Sequence, residues 1–278
     1  MRSSTLHVGG LEVHAVSVGG LETCIELPEL RLCFDIGRCP PTAVRRPQVL
    51  LTHAHVDHAG GLATHAAMRD LLGMPPPTWV IPAPNVEDVR ALLEVWRRLD
   101  RSGMPAHIVP AVPGARVPLE KGRFAVPFRV PHRVYGLGYA VVRPRTRLRP
   151  ALAGLPQDEV RARRLAGEDV TEAEDLVEVA FCGDTTAEVL DHEPLLQRAQ
   201  LLILECTFLD GRVPPEKARA QGHVHLEDLL ARTHLLGQPA ILLTHLSARY
   251  SAAEILRILD ARLPPDLRAR VTPLLPVE

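Results

Sequence analysis

Three histidines and a carboxylate fall within six residues in Thr52-His53-Ala54-His55-Val56-Asp57-His58-Ala59-Gly60-Gly61. Imidazole and carboxylate are the donors that zinc, manganese and iron accept. Two sets can be drawn, His53 with His55 and Asp57 with His58, each able to hold one ion on its own wall of a shared site. The competing reading is a polar loop with incidental histidines, and four ligand-type residues at this density count against it. Further along, Leu204-Glu205 closes an apolar run with a carboxylate, Gly222-His223-Val224-His225 leads into a helix, and Leu243-Thr244 ends on His245.

Such groups need rigid elements behind them. Short β-type runs at Leu11–Val18, Thr23–Leu27, Leu32–Asp35 and Val49–Thr52 occupy the first half. Runs at Val177–Cys182, Leu201–Glu205 and Ala240–Thr244 occupy the second. Helical spacing runs from Val86 to Leu99, with Asn85 as a cap, and helices are expected near Leu226–Leu236 and Ala252–Leu263. Strands interleaved with helices imply an α/β layered fold. Two stretches echo each other weakly: Leu50–His53 resembles Leu242–His245, and Phe34–Gly37 loosely resembles Phe181–Asp184. Two related halves, each supplying a strand-end ligand, would account for this, and so would coincidence.

The chain has 278 residues, 46% of them hydrophobic, enough for a sizeable core. Its 32 basic and 33 acidic residues exclude a general nucleic-acid coat. Lys121 and Lys217 are the only lysines, so the positive charge is almost all arginine, suited to bidentate contacts with carboxylate or phosphate. No apolar run reaches a membrane span, the first residues lack a signal-peptide core, and five cysteines show no CxxC pair. A cytoplasmic protein with reduced thiols and no membrane partner is expected. Seven arginines between Arg143 and Arg164 precede six acids in 168–178. Pro144 and Pro150 argue against a regular central strand there, so an exposed insertion is expected at about 143–176 of a single domain spanning 1–278.

The His-x-His-x-Asp-His run matches the signature of the metallo-β-lactamase superfamily, whose fold is an αββα four-layer sandwich with the site at the sheet edges. The resemblance extends the ligand set to seven: His53, His55, Asp57, His58, His132, Asp184 and His245. Alone, His132 would read as a surface or capping histidine. An aspartate at 184, where the true β-lactamases carry cysteine, resembles the dinuclear hydrolases, in which it bridges two divalent ions. Zinc is expected, with manganese or iron as alternatives. Cys182 reads as a small residue buried in a strand.

Glu205 to Asp210, Gln221 to Glu227 and Thr244 to Tyr250, with Phe34-Asp35-Ile36-Gly37-Arg38-Cys39-Pro40, resemble the tRNase Z family in its compact, plant-type short form. The resemblance runs from Gly19 to Tyr250. It implies an endoribonuclease that removes the 3′ trailer of precursor tRNA, leaving a tRNA 3′-OH and a trailer 5′-phosphate. It also implies a homodimer in which one subunit holds tRNA for the other's site. In the implied roles Asp57 orients the attacking water and takes up its proton. His223, held by Glu205, protonates the leaving oxygen, and Arg249, with Ser247, binds substrate phosphate. The bland alternatives are a strand-end salt bridge for Glu205, a helix cap for His223 and a structural acid partner for Arg249. His225 is left out of the catalytic set. The long-arm branch carries an insertion between the ligands matched by His132 and Asp184, usually with a Gly-Pro tip. Here 51 residues intervene without one, which makes the Arg143–Arg164 cluster a candidate for tRNA grip. The rival function is a same-fold hydrolase of a small phosphodiester, lactone or thioester.

Overall fold

The computed structural model describes residues 3–276 and builds two seven-stranded sheets with the same connectivity. The first holds β1 (Ser4–Val8), β2 (Leu11–Val18), β3 (Glu22–Leu27), β4 (Leu32–Phe34), β5 (Gln48–Leu50), β6 (Thr78–Pro82) and β7 (His107–Ala111). The second holds β8 (Val117–Pro118), β9 (Phe124–Val130), β10 (Gly136–Leu148), β11 (Thr171–Phe181), β12 (Leu201–Glu205), β13 (Ala240–Thr244) and β14 (Val271–Pro273). In each sheet the first four strands pair antiparallel and the last four parallel.

This repetition sorts the two sequence echoes. Phe34 and Phe181 end topologically equivalent strands, β4 and β11. The other echo does not correspond: His53 follows the fifth strand of its half, whereas His245 follows the sixth.

Alternation along the strands makes the layers. Ile25, Leu27, Phe34, Leu50 and Val80 of one sheet face Tyr139, Val179, Phe181, Leu201 and Ile203 of the other. The outer face of the first sheet buries Val49, Leu51, Trp79 and Ile81 under helices α1 (Val56–Ala59), α2 (Leu62–Leu71) and α3 (Val86–Asp100). The outer face of the second buries Leu202, Leu204, Ile241 and Leu243 under helices that include Leu229, Ile255 and Leu259. The architecture is the αββα sandwich. The strands that end at the site are apolar on both faces because a layer covers each. No helix among the described residues is long and apolar enough to cross a membrane.

Two local expectations need correction. Asn85 occupies the N-cap position of α3, but its side chain accepts no capping bond. The helix expected over Leu226–Leu236 breaks after Leu230 into a short 3₁₀ turn, Thr233–Leu235. Beyond the break, side-chain donors hold the end of this segment: Gln238 binds Leu235 O at 3.1 Å and Arg270 binds Leu236 O at 2.8 Å.

The segment from 143 to 176 has a structure of its own. Arg143 to Leu148 are regular strand, paired with Thr171 to Leu176 in a two-stranded ribbon that has left the sheet. Pro144 is tolerated because both strands are edges there. At the tip lies α4 (Gln157–Leu165). Arg145 stands opposite Glu174 and Arg147 opposite Glu172, so the ribbon is a ladder of matched charges. Arg143 pairs with Glu178, Arg149 with Asp169 and Arg163 with Glu159. The basic and acidic blocks read separately along the sequence neutralise each other across the strands. Of the seven arginines, Arg161 and Arg164 alone have no ion pair among the described residues.

Candidate functional site

The seven candidate ligands and Glu205 stand at or just beyond carboxyl ends of strands, where ligand sites of open α/β sheets form, and His223 comes from the turn between the helices Pro215–Ala220 and Leu226–Leu230. His53, His55, Asp57 and His58 follow β5, His132 follows β9 and Asp184 follows β11. Glu205 is the last residue of β12, and His245 follows β13. Two of the turns involved use left-handed backbone at non-glycine residues, His245 (φ 57°) and Asp35 (φ 55°). Such conformations are costly and persist where the surroundings impose them. His245 N–H is held by Ser17 Oγ at 3.0 Å.

The seven candidate ligands converge. Ligand atoms of His53, His55, His132 and Asp184 lie within 4.8 Å of one another, as do those of Asp57, His58 and His245. Asp184 faces both sets. Its Oδ2 is 3.8 Å from His53 Nε2, and its Oδ1 is 3.3 Å from His58 Nε2 and 3.4 Å from His245 Nε2. A third grouping, Asp184, Glu205, His223 and His245, is equally close, but the Glu205 carboxylate is already taken up by protein donors.

A test of fit comes from where each ring spends its second nitrogen. The Nδ1 of His58 meets Asp35 Oδ2 at 2.7 Å, that of His53 meets Thr52 Oγ1 at 3.0 Å, and that of His245 meets Thr207 Oγ1 at 2.9 Å. His132 Nδ1 donates to Gly222 O at 2.9 Å. These outward bonds turn Nε2 inward, and the Nε2 atoms of His58, His132 and His245 are buried with no hydrogen-bond partner. A buried nitrogen lone pair without a partner is costly unless a cation takes it. The residues therefore fit two divalent cations, with Asp184 placed to serve both sets.

The electrostatics agree. Burial lowers the pKa of His53, His55, His132 and His245, keeping these rings in the neutral, ligating form. Burial would raise Asp184, but His245, His58 and His53 hold it well below the usual carboxylate range. His58 differs: burial opposes its protonation, yet Asp184 and Asp35 on either side hold it well above 6.5. In the protein alone, a proton on His58 stands where positive charge is wanted.

Asp35 and Glu205 are built alike. Asp35 bonds His58 directly and reaches His53 through the Thr52 hydroxyl, which lies 2.9 Å from Oδ2. Glu205 bonds His223 Nδ1 at 2.9 Å and reaches His245 through the Thr207 hydroxyl at 2.5 Å. Glu205 also accepts from the backbone N–H of Thr185, Thr207 and Val224, five donors in all. Its carboxylate opposes the burial that would lower His223 and pushes that pKa up to about 8. His223 is thus held protonated at neutral pH, half-buried beside His245 and His132.

The sequence reading missed Asp35, Thr52, Thr207 and Gly222 as supports. One signal was available for the two threonines: each lies next to, or two residues after, a group it serves. Gly222 is required because a Cβ there would stand 2.7 Å from His132 Nδ1. His225 caps the helix Leu226–Leu230 by accepting from Glu227 N–H, which agrees with its omission. Arg249 is exposed, meets Ser247 Oγ at 3.3 Å and has no acid partner among the described residues. Cys182 is fully buried in the core of the second half.

The fold and this arrangement place the chain in a known class. A family model described as the Beta-lactamase superfamily domain matches residues 35–246, and the chain belongs to that superfamily. Within it the chain belongs to the tRNase Z family. It is 36% identical over 272 residues to tRNase Z TRZ1 of Arabidopsis thaliana, covering 97% of each chain. It is also 36% identical to the chloroplastic tRNase Z TRZ2 of the same plant, covering 94% of this chain and 74% of that one. Two solved structures share the fold. YhfI of Bacillus subtilis aligns with TM-score 0.63 at 13% identity over 92% of both chains. The short form of human tRNase Z aligns with TM-score 0.55 at 18% identity, over 90% of this chain and 94% of that one.

Proposed function

We propose that the chain is an endoribonuclease that removes the 3′ trailer of precursor tRNA, leaving a 3′-OH on the tRNA and a 5′-phosphate on the trailer. The observation that carries this reading is the His223–Glu205 pair, a charged proton donor beside a seven-ligand cluster, in a chain alike over nearly its full length to tRNase Z relatives. Two divalent cations, which we take to be zinc, would be held by His53, His55, His132 and Asp184, and by Asp57, His58, His245 and Asp184. When bound they supply Lewis acidity to the phosphate and to the attacking water. Asp57 orients that water and takes its proton. His223 gives its proton to the leaving 3′ oxygen, and Glu205 fixes the ring so that Nε2 faces that oxygen. Arg249 and Ser247 bind substrate phosphate.

Grip on the tRNA body is assigned to the tip of the arm that the ribbon and α4 form, where Arg161 and Arg164 have no acid partner among the described residues, and not to the matched ladder of the ribbon. We infer a homodimer, supported by four exposed apolar side chains at helical spacing on α3, namely Leu92, Val95, Trp96 and Leu99. We place the protein in the cytoplasm on its cysteine content, five free thiols. The test is to incubate zinc-loaded protein with a trailer-bearing precursor and map the product ends. Cleavage after the discriminator nucleotide is expected. No cleavage at any salt concentration, with two cations bound, overturns the assignment.

A further inference from the structure

Beside Asp57 opens a cleft of about 470 Å³ whose lining residues all fall between Gly20 and Thr64, in the first half of the molecule. Arg38 lines it. Its guanidinium is exposed and makes no hydrogen bond or ion pair with the described residues, unlike most arginines of the arm. Leu21 and Val56, 38% and 82% exposed, form apolar walls.

The base of Arg38 is locked to the cluster. Ile36 and Gly37 both donate their N–H to His58 O, at 2.8 and 2.9 Å, and Arg38 N–H donates to Glu22 Oε1 at 3.3 Å. Glycines make this packing possible. A Cβ on Gly37 would lie 2.8 Å from Glu22 Cγ and 3.1 Å from Asp57 O, and one on Gly61 would lie 2.4 Å from Ile36 O. The turn carrying Arg38 and the turn carrying Asp57 are therefore one rigid body.

An exposed guanidinium carried on an anchored backbone beside the cluster, with apolar side chains near it, has the chemistry that binds a single-stranded nucleotide: charge for the phosphate and apolar contact for the base. Which nucleotide follows from the proposed reaction, on which this inference rests. In-line displacement puts the leaving 3′ oxygen opposite the attacking water. His223 serves the former from the loop after β12, and Asp57 serves the latter from the first half. The tRNA body thus lies toward His223, and the cleft beside Asp57 is left to the other substituent on phosphorus. We propose that this cleft holds the first nucleotides of the 3′ trailer, with Arg38 on a trailer phosphate and a base against Leu21 and Val56.

The test compares wild type, Arg38→Ala and Arg38→Lys on precursors with the same tRNA body and trailers of one or several nucleotides. Arg38→Ala should lower kcat/KM about tenfold on the long trailer and less on the short one. It should also reduce the slope of log kcat/KM against log salt by about 0.7, the loss of one single-strand phosphate contact. Arg38→Lys, keeping the charge, should retain the slope. In a His223→Ala background, Kd for the long-trailer precursor should rise with the same substitution. Equal losses on both trailers, or an unchanged slope and Kd, overturn the proposal. If wild type cleaves no precursor, the underlying function fails; weaker binding of a single-stranded trailer oligonucleotide by Arg38→Ala then still reads the cleft, and equal binding overturns it.

Discussion

Replacing Asp35 by asparagine asks what the carboxylate behind the cluster does, because the change is nearly isosteric and removes only charge and acceptor capacity. Asp35 is fully buried. Its Oδ1 accepts the Thr52 N–H at 2.7 Å, and its Oδ2 meets His58 Nδ1 at 2.7 Å. In the variant, the amide oxygen stays with the Thr52 N–H, so the amide NH₂ faces His58 Nδ1. That nitrogen must then accept, and the ring's proton moves to Nε2, which points at Asp184 Oδ1 from 3.3 Å. A protonated Nε2 cannot ligate. Restoring the ligating tautomer would set N–H against N–H and lose a bond to a charged acceptor, at about 1.5–3 kcal/mol. The expected weakening of the cation that takes His58 is therefore about 10- to 100-fold, the range seen for such outer partners. The relay through Thr52 predicts a smaller loss at the His53 set, since the amide oxygen still accepts from that hydroxyl. Competition with a chromophoric chelator, titrated in zinc, resolves two binding steps and assigns the larger loss. Two steps with wild-type affinities would refute the claim that Asp35 sets the His58 tautomer.

Three further outcomes are expected. His223→Ala should cut turnover by about 10²- to 10⁴-fold while both cations stay bound, as counted by metal analysis; loss of a cation would show that His223 is a ligand instead. Glu205→Gln bears on the same ring through pH. His223 has a raised pKa, so its acid form is present below that value and lost as pH rises through it. Without the carboxylate, burial dominates, and the alkaline limb of kcat/KM should move to lower pH by about one unit or more. An unmoved limb assigns that limb to another group. On the arm, Arg161→Glu with Arg164→Glu should raise KM for precursor tRNA several-fold, whereas swapping the charges of the Arg145–Glu174 pair should leave KM within about twofold, the worth of an exposed pair. Equal effects would put the grip on the ribbon.

The sequence by itself determined the candidate ligands. His53 to His58 is a local run, and a strand end followed by a tight turn presents such residues together whatever lies elsewhere. Glu205 and His245 were legible for the same reason, as polar residues closing apolar strands. The layered fold followed from alternation and helical spacing, and the helix Ala252–Arg262 was placed to within a residue. What the rings do with their second nitrogens was not legible. His58 is 23 residues from Asp35, His245 is 38 from Thr207, and His132 is 90 from Gly222. Those contacts exist because two sheets of like topology bring their strand ends to one crevice, and no local pattern encodes which distant oxygen a ring will meet. The arm shows the same division. Its arginines and acids are separate blocks along the chain, but strand register sets Arg145 against Glu174, while Arg161 and Arg164 on α4 meet no acid among the described residues. Arg38, unremarkable in sequence, became a candidate contact once glycine packing fixed its turn against that of Asp57. Residue chemistry and short-range spacing come with the sequence, and long-range pairing, which decides tautomer, charge and access, comes with the packed sheets.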